Sequence, residues 1–477
     1  MASSARWRGL SGFQLLVLGG AVGSVGLLLW IRPDAVAPLL VMSAAAAFLT
    51  ISVWRVLLAT LSASPPEPSL LPAPALPRYS VLVALHDEAE VMDQLVERLA
   101  AIDYPLDRLQ GMLILEAHDR QTIAAAMAAA RPAWLDVFIA PPGHPQTKPR
   151  ALNSALPHVI GELLTVYDAE DEPDPLQLRE AATRFAEDGG GRLACLQAPL
   201  RIRRRRRGPD PSPFLDRQFA AEYASLFETV LPGMSRLGLP FPLGGTSNHF
   251  RVDVLREVGG WDAFNVTEDA DLGFRLWTRG WRLGVIGRPT WETPPGHLSD
   301  WLPQRTRWLK GYMQTWGVHT RRPWRMGLRG GFALTMTVGA AVASATVNGL
   351  SMAWVAAAVL VAAMAALPPD FPALALGVLG LGAASAWLSC AIGARRAGIP
   401  YGLTDMAAAP AYWGLQSLAA AHAAWRLVRE PFAWDKTRHR RDAPPPTAAP
   451  APAHAALDET APNRLSAAHA AAPQPVA

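Results

Sequence analysis

The chain has 477 residues, 50% of them apolar and 18% charged, with a formal net charge of +4 and two cysteines. That length exceeds one ordinary domain, and two distant cysteines exclude a disulfide framework or a cysteine metal site. Basic residues gather at 203–207 and 438–441 without any nucleic-acid-binding motif, so a nucleic-acid partner is not expected.

The apolar residues lie in long blocks at the two ends, and the middle has a soluble composition. Residues 12–31 carry no charge and are long enough to cross a hydrocarbon core of about 30 Å. A second block, 36–53, runs on to about Leu61, and the short Arg32-Pro33-Asp34 link makes the pair a membrane hairpin spanning 1–63. Arg6, Arg8 and Arg55 favour cytosolic ends. Residues 64–78, rich in proline, serine and leucine, read as a linker.

From residue 79 to 326 the pattern is that of a cytosolic domain. Strands are predicted at 79–85, 111–116, 135–140 and 162–167, with a helical period over 88–101. Alternating strands and helices imply an α/β fold with a mostly parallel sheet, in which ligands bind beyond the carboxyl ends of the strands. Asp168 falls at such an end. Apolar blocks return at 331–348, 351–367, 371–393 and 403–425, predicting four spans within 327–428. That count places the tail, 429–477, in the cytosol, but it leaves Arg395 and Arg396 outside unless one block lies in the interface. After about 443 the tail is nearly all Ala, Pro and His, and is predicted to be disordered.

Four polar signals follow one another through the middle domain. Glu116-Ala117-His118-Asp119 ends the second strand, where Asp119 could serve a ligand or simply cap the next helix. Lys148 has a reason to be in a loop if a phosphate lies near it. In Asp168-Ala169-Glu170-Asp171 the close carboxylates repel one another unless a divalent cation binds them, although an acid-rich turn has the same pattern. Thr267-Glu268-Asp269, followed by Asp271, comes after the Gly259-Gly260-Trp261-Asp262 turn, and Gln304-Arg305-Thr306-Arg307-Trp308 stands just before the membrane blocks.

Together these residues resemble family 2 glycosyltransferases of the membrane-embedded, cellulose-synthase-like kind, from about Tyr79 to His439. The resemblance extends to Gly244-Gly245-Thr246-Ser247-Asn248-His249-Phe250, to Tyr412-Trp413 and to Trp434-Asp435-Lys436-Thr437-Arg438-His439, strings similar to those of bacterial exopolysaccharide synthases. It implies a GT-A-type domain between two groups of transmembrane helices in a bacterial inner membrane. Asp119, Lys148 and Glu116 would bind the nucleotide; Asp168 with Glu170 or Asp171 would hold Mg²⁺ or Mn²⁺; Gln304, Arg307, Trp308 and Glu268 would face the acceptor and diphosphate. Asp269 would be the general base, with Asp271 and Glu268 as rivals that spacing alone does not exclude. Two departures stand out: Glu170 replaces the second Asp of the usual Asp-x-Asp metal element, and Glu-Ala-His-Asp replaces a paired-Asp string, where His118 is expected to have no role.

The implied reaction is inverting transfer from a nucleotide diphosphate sugar, UDP-linked by the resemblance, to a growing glycan, with processive translocation. The alternative is transfer of one sugar to a lipid carrier. Membrane lipids, a glycan or lipid-linked acceptor and other polysaccharide-export subunits are the expected partners.

Overall fold

The computed structural model describes residues 4–6, 9–203, 213–369 and 371–433. Arg8, most of the 203–207 run, the 434–439 string, the 438–441 group and the tail after 443 lie outside the described residues.

The predicted strands form β1 (Tyr79–Leu85), β2 (Leu109–Glu116), β3 (Leu135–Ala140) and β4 (Leu163–Tyr167), followed by β5 (Glu172–Pro173), β6 (Leu193–Gln197), β7 (Leu200–Ile202), β8 (Asn248–Arg251), β9 (Arg282–Val285) and β10 (Thr290–Glu292). The main sheet has the order β3-β2-β1-β4-β8-β6-β9, and β5-β10-β7 form a small second sheet. β1 pairs in parallel with both β2 and β4, β2 with β3, and β6 with β9; only β8 runs antiparallel to its neighbours in this sheet. The central strands are apolar along nearly their whole length because both faces are covered, as parallel sheets require.

Helices α1 (Gly12–Ile31) and α2 (Pro33–Leu61) precede the sheet. Within the domain come α3 (Met92–Ala100), α4 (Arg120–Ala128), α5 (Lys148–Ala155), α6 (Gln177–Glu187), α7 (Pro213–Ser225), α8 (Leu231–Arg236), α9 (Val252–Glu257) and α10 (Glu268–Thr278). Leu95 and Leu99 of α3 and Ala181 and Phe185 of α6 bury one face of the sheet, and Leu152 of α5, Leu255 of α9 and Phe274 of α10 bury the other. The long α11 (Leu298–Thr320) carries Gln304, Arg307 and Trp308, and α12 (Gly327–Leu334), α13 (Ala340–Met364), α14 (Ala373–Ala397) and α15 (Leu403–Arg429) complete the described chain.

Among the described residues four helices are long and apolar enough to cross a membrane: Gly12–Ile31, Pro33–Leu61, Gly327–Met364 and Ala373–Ala397. Their large apolar side chains, among them Leu16, Leu18, Trp30, Leu360 and Met364, face outward with no protein partner, which is costly in water and favourable in lipid.

The C-terminal blocks correct the expectation of four spans. Blocks 331–348 and 351–367 are one helical run, because the glycine between them permits close packing instead of breaking the helix. A Cβ on Gly349 would meet Ser417 Cβ at 2.6 Å, and the Gly349 N–H donates to Ser417 Oγ at 2.8 Å. The last block, α15, is held by the domain at both ends. Arg217 of α7 clamps Asp405 through two bonds of 2.6 and 2.5 Å, and Lys310 of α11 donates to the carbonyls of Glu430 and Ala433 at 3.1 and 2.7 Å. Among the described residues α15 is not one of the helices long and apolar enough to cross a membrane. With the first two blocks merged into one run, the conflict over the arginine pair disappears: Arg396 donates to Ser62 Oγ at 2.7 Å and to the Glu228 carbonyl at 2.6 Å, on the domain side.

Candidate active site

A cavity of about 170 Å³ opens beyond the carboxyl ends of β1 and β4. Its walls come from the segment after β1, the Asp168 turn after β4, the 243–246 loop, the first turn of α10 and the inner face of α11. It therefore lies where the strand-end rule puts a ligand.

The structure brings Lys148, Asp168, Glu170, Glu268, Asp269, Gln304, Arg307 and Trp308 to this one cavity. Lys148 Nζ donates to Asp168 Oδ1 and, at 2.7 Å, to the Gly245 carbonyl. Burial alone would lower the Lys148 pKa, but Asp168 and Glu268 outweigh it and raise it, so the ammonium stays charged.

Three of the expected residues lie differently. The Asp171 carboxylate is fully buried, accepts the Asp168 N–H at 2.7 Å and is bonded by Thr246 Oγ1. Burial, with Asp168 beside it, pushes its pKa well up. It closes the turn that presents Asp168 and does not line the cavity. Glu116 forms an ion pair with Arg150 at 2.5 Å. Asp119 caps α4 through the Thr122 N–H at 3.1 Å and also accepts the Asp87 N–H at 2.5 Å. Burial would raise the Asp119 pKa, but these N–H donors hold it below the usual carboxylate range. Asp119 thus joins the ends of β1 and β2, and it reaches the cavity through His86, 3.7 Å away.

Glu268 and Asp269 occupy the first turn of α10, where the helix dipole favours negative charge, and the Ala270 N–H donates to Asp269 Oδ1 at 2.7 Å. Burial pushes the Asp269 carboxyl up to about 6, against the pull of the Ala270 N–H, Lys148 and Arg307. Burial and the neighbouring Asp269 push Glu268 up as well, to about 8. Such a pair gives up its protons in coupled steps. Asp271, two residues further round the helix, points away. Arg275 Nε donates to it at 2.6 Å and His319 Nε2 lies 3.0 Å from it. Burial would raise the Asp271 pKa, yet Arg275 and His319 hold it below its usual range.

Helix α11 fixes this first turn in place. Asn265 Nδ2 donates to Thr315 Oγ1 at 3.0 Å, the Val266 N–H donates to Gln314 Oε1 at 3.1 Å, and a Cβ on Gly311 would meet Thr267 Oγ1 at 2.2 Å. Behind, Asn153 of α5 brackets Trp261 with bonds of 2.7 and 3.0 Å, against a Gly260 with φ +66° whose added Cβ would meet Asn153 Oδ1 at 2.2 Å.

Several cavity residues were not singled out from sequence. His86 and Glu88 follow β1, and the same strand-end rule that selected Asp168 would have found them. Glu292, at the end of β10, is buried, and its pKa is pushed well up by burial and by Asp171, Glu170 and Asp168. Arg305, inside the Gln304–Trp308 string, pairs with Glu222 of α7 at 2.9 and 2.5 Å and lies over the Trp308 ring. The pattern of α7 gave no hint of that partner.

Four carboxylates, Asp168, Glu170, Asp171 and Glu292, are thus crowded at one end of the cavity. Among the described residues no group of three His, Cys, Asp or Glu forms a complete metal site. Asp168 and Glu170, which line the cavity together with Glu292, offer hard oxygen donors, a set that suits a magnesium-like ion also bound by substrate phosphates.

A mostly parallel sheet with acids at its strand ends and a helix-borne carboxylate opposite is the arrangement of a GT-A glycosyltransferase. A mannosyltransferase from Pyrobaculum calidifontis, solved in complex with GDP-Man and Mn²⁺, shares this fold with a TM-score of 0.55 and 18% identity, over 81% of this chain and 97% of that one. Residues 163–368, less than half of the chain, match the family model described as glycosyl transferase family group 2, so this stretch carries a family 2 glycosyltransferase domain. It is 26% identical over 281 residues to beta-monoglucosyldiacylglycerol synthase of Synechocystis sp., covering 56% of this chain and 56% of that protein. It is also 26% identical over 268 residues to the cellulose synthase 1 catalytic subunit of Komagataeibacter xylinus, covering 54% of this chain and 34% of that protein. The chain thus spans about half, or less, of the length of these curated relatives.

Proposed function

We propose that the chain is an inverting glycosyltransferase that moves a sugar from a nucleotide diphosphate sugar, UDP-linked in this reading, to a growing glycan. The observation that carries the proposal is the convergence of Asp269, Asp168, Glu170, Lys148, Arg307 and Trp308 on one cavity at the strand ends. In the resting site Asp269, held in its ionised form by Lys148 and Arg307, accepts the proton of the acceptor hydroxyl as that oxygen attacks the anomeric carbon. One displacement inverts the configuration, and base assistance of this kind typically contributes about 10²- to 10⁴-fold in rate. Lys148 and Arg307 bring positive charge toward the departing diphosphate, and Trp308 gives the acceptor ring an aromatic floor. Asp168 and Glu170 would hold Mg²⁺ or Mn²⁺, which when bound would neutralise charge growing on the leaving group; the mannosyltransferase of the same fold was solved with Mn²⁺.

The four apolar helices are read as membrane spans, two on each side of the domain in sequence, in a bacterial inner membrane with the domain in the cytosol. Contacts of Ser62 and Arg396 with one another beside the domain favour that arrangement. Processive growth and translocation of the product remain part of this reading through Gln304, Arg307 and Trp308 on α11. One observation favours the alternative acceptor, a lipid that receives a single sugar: Leu200, Leu226, Phe227 and Leu243 form an apolar wall of the cavity. The test is transfer from a panel of radiolabelled nucleotide sugars by purified protein in detergent. A ladder of products supports glycan growth, a single lipid-soluble product supports the alternative, and no transfer from any donor overturns both.

A further inference from the structure

A second cavity, of about 740 Å³, lies on the domain side of the spans, between the N-terminal segment, the turn before α10, the end of α10 and the start of the C-terminal helices. Arg6, Arg275, Arg279 and Arg325 all line it. Like charges gathered around one hollow repel unless acids or a bound anion offset them. Arg275 is accounted for by Asp271 at 2.6 Å. Among the described residues Arg279 meets only Glu257 as an ion-pair partner, at 3.9 Å and with both side chains about half exposed. Among the described residues neither Arg6 nor Arg325 has a carboxylate at ion-pair distance; Arg6 rests 5.3 Å over the Phe264 ring.

The one acid lining the cavity, Asp262, is engaged elsewhere. It accepts from Ser4 Oγ at 2.9 Å, the Ala5 N–H at 2.6 Å and the Phe264 N–H at 3.1 Å, bonds that tie the N-terminal segment to the domain. Arg321 Nη1 completes the tie by donating to the Ser4 carbonyl at 2.9 Å.

The cavity's position says what kind of anion reaches it. Arg6 stands just before α1, and Arg325 just before Gly327, where two of the apolar helices begin. Beside them Phe13 and Trp324 meet edge to face at 5.6 Å, and Trp324 is 64% exposed, the placement of aromatic residues at a membrane surface. Basic pockets between spans on the cytoplasmic side suit phospholipid headgroups.

We propose that Arg6, Arg279 and Arg325 form a binding site for the phosphate of an anionic phospholipid headgroup, separate from the transfer site. The proposal rests on the membrane reading above and not on the transfer chemistry. It also assigns a role to the docked N-terminal segment, which carries one arginine of the site across to the domain.

The test uses full-length protein in a non-ionic detergent and measures retained lipid by native mass spectrometry, with phosphatidylglycerol, phosphatidylcholine and inorganic phosphate as separate probes. Phosphatidylglycerol is expected to be retained in preference to phosphatidylcholine. Each arginine contributes about fivefold to affinity, so Arg6→Gln with Arg325→Gln should weaken retention by more than tenfold. Arg279→Gln should weaken it less, and Arg322→Gln, an exposed neighbour outside the cavity, should leave it unchanged. Equal retention of both lipids, or unchanged phosphatidylglycerol retention in the double variant, overturns the site. Displacement of the lipid by inorganic phosphate at equal concentration overturns the lipid as its source. No nucleotide sugar is present, so a protein that retains lipid and transfers no sugar fails the enzymatic reading alone. A protein extracted from membranes by alkaline carbonate fails the membrane reading.

Discussion

The Arg305 guanidinium lies over the Trp308 ring, 4.6 Å from its centroid, and is held there by Glu222. Tyr412 of α15 closes the group, donating to Glu222 Oε2 at 2.7 Å while accepting from Arg305 Nη2 and Trp301 Nε1 at 3.1 Å each. Three helices, α7, α11 and α15, therefore meet behind the proposed acceptor floor. Glu222→Gln removes the charge that fixes the guanidinium and should raise the acceptor KM several-fold, with nucleotide-sugar binding near wild type. Equal weakening of both substrates would show a general loss of structure instead.

Asp269 and Asp271 should separate cleanly. Asp269→Asn is expected to keep nucleotide-sugar binding and to cut transfer by at least about 10²-fold, the lower end for a lost general base. Asp271→Asn removes the carboxylate from a buried cluster with Arg275 and His319, and breaking such a buried pair costs about 3–5 kcal/mol. Its signature is a lower Tm. A stable, inactive Asp271→Asn beside an active Asp269→Asn would move the base to Asp271.

The pH dependence of rate and stability should run in opposite directions. Transfer needs ionised Asp269, so kcat/KM should fall as pH drops through about 6, the value to which burial raises this carboxyl. For stability the sign reverses. A carboxyl whose folded pKa lies above its unfolded value of 3.8 binds more protons in the folded state between the two values, so its contribution is greatest at low pH and is lost as pH rises toward about 6. Comparison of Tm against pH for wild type and Asp269→Asn isolates that contribution. An acid limb of kcat/KM near pH 4 would show that the carboxyl is unperturbed in the working enzyme.

Chelation should abolish transfer, and Mg²⁺ or Mn²⁺ should restore it, because Asp168 and Glu170 face the cavity beside two further buried carboxylates. Asp168→Asn should be inactive yet inserted in the membrane normally. Full activity in excess chelator would exclude the metal reading.

Gly311→Ala should act at a distance. The added methyl would meet Thr267 Oγ1 at 2.2 Å, displacing either α11 or the turn that begins α10. Transfer should fall at least tenfold while the isolated fold, read by circular dichroism, stays intact. Normal turnover would mean that this contact does not hold Asp269 in place.

The sequence by itself determined the features that depend on chain order and local pattern. The apolar lengths at 12–31 and after 326, the buried strands and the acid placed directly after β4 were all legible, because strand burial and span length are written in consecutive residues. Which of several adjacent acids faces the cavity was decided only by the tertiary structure. Residues two apart on a helix point about 200° apart, so Asp269 meets the cavity and Asp271 meets Arg275 and His319, although both stand in one short string. In the β4 turn, backbone closure likewise directs Asp171 to the Asp168 N–H and leaves Asp168 and Glu170 facing outward. The path of α15 was equally hidden, since composition does not record that Arg217 and Lys310, nearly a hundred residues apart, hold its two ends.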